Sequence, residues 1–77
     1  MSPKLPRVTS HELVRALKRA GWEPIRQTGS HLHLARPDHP GHIVTVAVHP
    51  GHLVPLGTLK AVLDRAGLTG DDLRDLL

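Results

Sequence analysis

The spacing of apolar positions changes twice along the chain, and each change marks a new kind of element. Leu13, Val14, Leu17 and Ala20 recur at helical steps and define one buried stripe. Ahead of it Thr9 is placed to cap the first turn, Glu12 completes a capping box three residues on, and Val8 can pack on Leu13 as a hydrophobic staple. Gly21 offers the left-handed residue that ends such a helix. From residue 22 the period shortens to two. Residues 22–28 read as a first strand weakened by Pro24, Gly29 and Ser30 as a turn, and residues 31–36 as a second strand. In that second strand Leu32 and Leu34 alternate with His31, His33 and Ala35, so the leucines face the core and the histidines the wetter side. Residues 43–48 are β-branched and suit a central strand. Helical spacing returns at 58–66 with Leu59, Val62 and Leu63, and Gly67 is the stop. Thr69 and Asp72 then cap a short last helix carrying Leu73, Leu76 and Leu77.

Three strands with one apolar face need helices laid across that face. The expectation is therefore an α+β fold in two layers, a three-stranded antiparallel sheet in the order α-β-β-β-α with a short extra C-terminal helix, forming a single domain over residues 1–77. The tetrapeptide His-Pro-Gly-His occurs at 39–42 and again at 49–52. Proline presets φ and the following glycine accepts a positive φ, so both copies read as type II turns.

Charge is unevenly spread. Residues 1–36 hold seven lysines and arginines against two carboxylates, while residues 37–77 hold three against five. A basic first half suits a polyanion, although a solvated basic surface has the same composition. Trp22 is the only aromatic residue besides the histidines, which leaves little for base stacking. Cysteine is absent, which removes disulfides and thiolate metal sites and fits a reducing compartment. No leading apolar run resembles a signal peptide, and residues 43–48 are too short to span a bilayer, so the protein is expected to be soluble, cytoplasmic and free of membrane contacts.

The seven histidines carry the candidate chemistry, because imidazole alone among side chains titrates near neutrality unaided. His31 and His33 could give two metal ligands and a turn histidine a third, but no recognised ligand spacing fixes a geometry for such a site. Five of the seven read as polar decoration: His11 in a helical first turn, where the macrodipole disfavours a cation, His39, His42 and His52 beside the turns, and His33 on the strand. His31 differs. It directly follows Gly29 and Ser30 on a tight turn open to a large substrate. RNA is cleaved without metal when its 2′-hydroxyl attacks the adjacent phosphorus, a reaction that needs one group to take a proton and one to give it. Arg26 and Lys18 are candidates to offset charge developing on the phosphate.

Ala20-Gly21-Trp22, then Arg26 through His31 reading R-Q-T-G-S-H, Val44-Thr45-Val46 leading to His49, Gly57-Thr58-Leu59 and Ala66-Gly67-Leu68 together closely resemble the HicA family of mRNA interferase toxins, from Ser10 to Thr69. The resemblance implies a fold like a double-stranded RNA-binding domain. It also implies metal-independent endoribonuclease activity that cleaves mRNA and blocks translation, with no cofactor, and a HicB-type antitoxin partner in a type II toxin–antitoxin system. The family's catalytic histidine falls on His31, with Gly29 and Ser30 shaping its turn and His49 as a candidate helper. Where the family has proline two residues before the later histidine, this chain has Ala47. The second helix carries only Lys60 and Arg65, fewer cations than a double-stranded RNA binder uses, so single-stranded or irregular mRNA is the expected substrate. Lys4, Arg7, Lys18, Arg26 and Arg36 are the candidate phosphate contacts. The rival reading is a nucleic-acid-binding module without catalysis.

Overall fold

The computed structural model describes residues 5–77, and Lys4 lies outside them. Three helices and three strands follow one another as α1 (Ser10–Arg19), β1 (Glu23–Thr28), β2 (His31–Ala35), β3 (Ile43–Ala47), α2 (Leu56–Ala66) and α3 (Gly70–Leu76). This is the expected α+β order, with an antiparallel sheet arranged β1-β2-β3.

Local chemistry sets the helix ends. The Thr9 hydroxyl accepts the Glu12 amide at 3.2 Å while the Glu12 carboxylate accepts the Thr9 amide at 2.8 Å, the reciprocal bonds of a capping box. Thr69 and Asp72 repeat the arrangement at α3, at 3.1 and 2.9 Å. Helix α2 begins two residues earlier than its apolar stripe suggests. Pro55 supplies φ −55° and its carbonyl takes the Leu59 amide at 2.8 Å, so the helix starts without a side-chain cap. It ends at Gly67, whose φ of 72° is left-handed. Both His-Pro-Gly-His segments close as turns: the His42 amide reaches the His39 carbonyl at 3.2 Å and the His52 amide reaches that of His49 at 3.1 Å, with Gly41 and Gly51 at positive φ.

The core lies between the helices and one face of the sheet. Leu34 of β2 and Val44 and Val46 of β3 meet Leu13 and Leu17 of α1 and Leu59 and Leu63 of α2 there, and Leu73 brings α3 onto the same cluster. Truncating any of these leucines to alanine costs about 2–5 kcal/mol. Leu32, expected inside, is only half-buried because it sits at the hairpin end of β2. Trp22 is buried just outside β1, which starts at Glu23 rather than residue 22, and among the described residues its Nε1 is the one buried side-chain polar atom without a hydrogen-bond partner.

Two expectations about the strands are corrected. Strand β3 is at the sheet edge and β2 is central. Its β-branched residues reflect helices covering Val44 and Val46, not pairing on both sides. Strand β2 ends at Ala35, leaving Arg36 beyond the ladder. Pro24 is accommodated because β1 is the other edge, with its register shifting between Pro24 and Arg26.

Candidate functional site

Residues paired directly across an antiparallel ladder point to the same face. His31 pairs with Thr28 on one side and Ala47 on the other, and His33 pairs with Arg26 and Thr45. The face opposite the helices therefore carries His31 and His33 in the middle, Thr28 and Arg26 on β1, and Thr45 on β3. The alternation of leucine and histidine in β2 separates the two faces as expected, since Leu34 is fully buried while His31 is exposed.

A two-residue hairpin turn presents His31. Gly29 has φ 59° and Ser30 does not adopt a positive φ, the order of a type II′ turn with glycine first. A side chain at Gly29 would meet nothing within 4 Å, so the backbone angle alone demands glycine. The Gln27 side-chain Nε2 donates to the Gly29 carbonyl at 3.0 Å, and the Ser30 carbonyl accepts the Val48 backbone amide at 2.7 Å. The turn is thus tied to the segment that leads into His49.

His49 is itself anchored from α1. The Ser10 hydroxyl accepts the His49 amide at 3.1 Å and donates to its carbonyl at 3.4 Å. His49 borders a cleft of about 220 Å³ that Leu13, Val54, Thr58 and Val62 also line, which places it toward the helical layer. His33, read from sequence as decoration, is half-buried, and its Nδ1 lies 3.0 Å from the Thr45 hydroxyl.

The candidate phosphate contacts divide. Arg26 is exposed on the His31 face. Lys18 stands in the last turn of α1, in the helical layer, and Arg7 lies exposed in the segment entering α1. Arg36 is held by both oxygens of Asp38, at 3.0 and 2.8 Å, and its guanidinium lies 6.0 Å from the Trp22 ring centroid. Those bonds from Arg36, ahead of all other influences, hold the Asp38 carboxyl below its ordinary range. Trp22 stacks on His39 with centroids 6.4 Å apart, and His39 meets His42 at 6.0 Å, so these turn histidines pack on the far end of the sheet from His31. Among the described residues no three histidines or carboxylates converge as a metal-binding set, and no helix is long and apolar enough to cross a membrane.

Ser10 and Thr45 escaped the sequence reading. Ser10 falls inside an apolar helix face at the stripe's start, and Thr45 is the polar residue of an otherwise apolar strand. The second was a usable signal, because a lone polar residue in alternation belongs on the uncovered face.

A family model described as the HicA toxin of bacterial toxin-antitoxin matches residues 10–68. No curated protein matches the chain.

Proposed function

The chain belongs to the HicA toxin family of bacterial toxin–antitoxin systems, and from that premise we propose that it is a metal-independent endoribonuclease that cleaves mRNA with His31 as general acid or base. Membership makes it a toxin with an antitoxin partner. The proposal adds the reaction, the residue, and a HicB-type protein as that partner.

The observation that carries the reading is the placement of His31: exposed, at the mouth of a hairpin, on the sheet face that no helix covers, with Arg26 on the neighbouring strand. An extended polymer can lie across such a face. An imidazole in that position can exchange a proton with a ribose or leaving-group oxygen, a contribution of about 10²- to 10⁴-fold. Arg26 offsets the charge that grows on the phosphate oxygens. Gly29 and Ser30 act through the turn geometry, and His49 stands as a helper whose backbone is linked to that turn through Val48.

The test incubates RNA with the purified wild type and with His31→Ala, each with and without EDTA, and follows growth and mRNA integrity in cells expressing either form. Wild-type cleavage that survives EDTA and falls at least about 10²-fold in the variant is expected. Equal cleavage or toxicity by His31→Ala would remove the catalytic assignment. RNA that is bound with a steep salt dependence yet left intact by the wild type would favour the binding module instead.

A further inference from the structure

We infer that His33 is the second proton-transfer residue of the site, working with His31 as an acid–base pair across one scissile phosphate. The inference rests on the ribonuclease reading above and assigns the half of the reaction that a single imidazole leaves open.

In-line attack by the ribose 2′-oxygen forms a new P–O2′ bond and breaks the P–O5′ bond. The 2′-hydroxyl proton goes to a base, and a proton from an acid goes to the departing 5′-oxygen. The products are a 2′,3′-cyclic phosphate and a free 5′-hydroxyl, so atoms and charge balance without a further reactant. Two groups must therefore flank the phosphorus on opposite sides. His31 and His33 are two residues apart on one strand and face the same way, which sets their Cα atoms about 6.6 Å apart. That span admits a phosphate between the two rings.

Three features distinguish His33 from a solvated surface histidine. It is half-buried in the centre of the sheet rather than at its rim. Its Nδ1 is 3.0 Å from the Thr45 hydroxyl, directly across on β3. In the tautomer whose Nδ1–H donates to that hydroxyl, the bond persists when the ring becomes cationic and leaves Nε2 as the working atom in both states. Arg26 is paired opposite on β1, and Glu23, paired with Ala35, is the other charged residue that β1 turns to this face, while β3 presents only Thr45 and its uncharged neighbours. His49, the other candidate, lies beyond β3 and borders a cleft that Leu13 of α1 and Thr58 and Val62 of α2 also line.

The test is the pH dependence of kcat/KM on a short RNA for the wild type, His33→Ala and His33→Asn, with thermal melts to confirm folding. Should the alanine variant not fold, the asparagine variant, which keeps a polar group toward Thr45, is the one read. The wild type is expected to give a bell-shaped profile. Each His33 variant should lose about 10²-fold and one of the two limbs. A substrate with sulfur in place of the 5′-oxygen has a leaving group that departs without protonation. It should restore either the His33 or the His31 variant, and the one restored is the acid. Thr45→Val should displace the His33 limb and lower the rate by about fivefold, the loss of one orienting hydrogen bond, while Thr45→Ser restores both. A His33 variant that keeps both limbs, at whatever rate, overturns the pairing, as does failure of the sulfur substrate to restore either variant. If the wild type leaves RNA intact, the ribonuclease reading falls and the pairing with it. If the wild type cleaves and the His33 profile is unchanged, the pairing alone falls.

Discussion

Replacing Ser10 with alanine isolates a single clasp between the first helix and the loop that follows the last strand. Ser10 is 2 % exposed and is the one polar residue among the buried described residues. Its hydroxyl answers both backbone groups of His49, accepting the amide at 3.1 Å and donating to the carbonyl at 3.4 Å. The substitution keeps the helix, because Thr9 and Glu12 still cap it. It removes both bonds at once. The shorter bond has ordinary length for an N–H donor, and the longer one is near the limit of a useful contact, so the first dominates. A bond of this kind contributes about 1 kcal/mol net, and more where its partner is left without water, which sets the expected loss at about 1–2 kcal/mol. For a domain of this size each kcal/mol moves Tm by roughly 4–8 °C, so a fall of about 5–15 °C is expected by calorimetry or circular dichroism. The His49 amide should also exchange with solvent faster than in the wild type, because its protection comes from that hydroxyl. An unchanged Tm together with unchanged exchange at His49 would refute the account. The perturbation reaches the site by a short route, since His49 follows Val48, whose amide holds the Ser30 carbonyl at 2.7 Å.

Two further perturbations follow from the helix ends. The Glu12 carboxyl is held below its ordinary 4.5 chiefly by the Thr9 backbone amide and next by the Thr9 hydroxyl; a depressed folded-state value means stability that is present above the ordinary value and is lost as pH falls through the folded one. Tm should therefore fall on acidification below about pH 4.5, with Asp38 adding to the slope through Arg36, and Glu12→Gln should make the fall shallower; parallel acid limbs would contradict this. At Gly67, where φ is 72° and an added Cβ meets nothing within 4 Å, alanine should cost about 1–2 kcal/mol from backbone conformation alone, read as a lower urea midpoint at constant slope.

What the sequence made legible is what neighbours within a few residues decide. The capping boxes at Thr9 and Thr69, the stops at Gly21 and Gly67, and the two proline–glycine turns depend on contacts three or four residues apart, and each can be read in a line of text. The facing of His31 and Leu34 also follows from strict alternation. Strand order is different. Val44 and Val46 report that one face of β3 is covered, and an edge strand under helices has the same pattern as a central one. The bond between His33 and Thr45 spans twelve residues and exists only in one register, so His33 looked ornamental until the register was known. Arg36 illustrates the limit of counting charge: its class suggested a phosphate contact, while Asp38 two residues later already occupies its guanidinium.

The central position of β2 bears directly on the chemistry asked of it. A proton-transfer group must be held to within a fraction of an ångström, and a strand with a ladder on each side is the stiffest support a three-stranded sheet provides. The ladder to β3 runs unbroken through five pairs from His31 with Ala47 to Ala35 with Ile43. The ladder to β1 carries the irregularity, yet its shift lies between Pro24 and Arg26, toward the end of β2 away from His31. Thr28 stays paired with His31 and Arg26 with His33 on the regular side of that shift. Pro24 thus weakens the edge strand where β1 only borders Leu34 and Ala35, and the turn, both histidines and Arg26 keep a continuous frame. Moving the irregularity by two residues toward Thr28 would put it beside His31 and rotate Arg26 out of register with His33, which is the arrangement this sequence avoids by placing its proline at position 24.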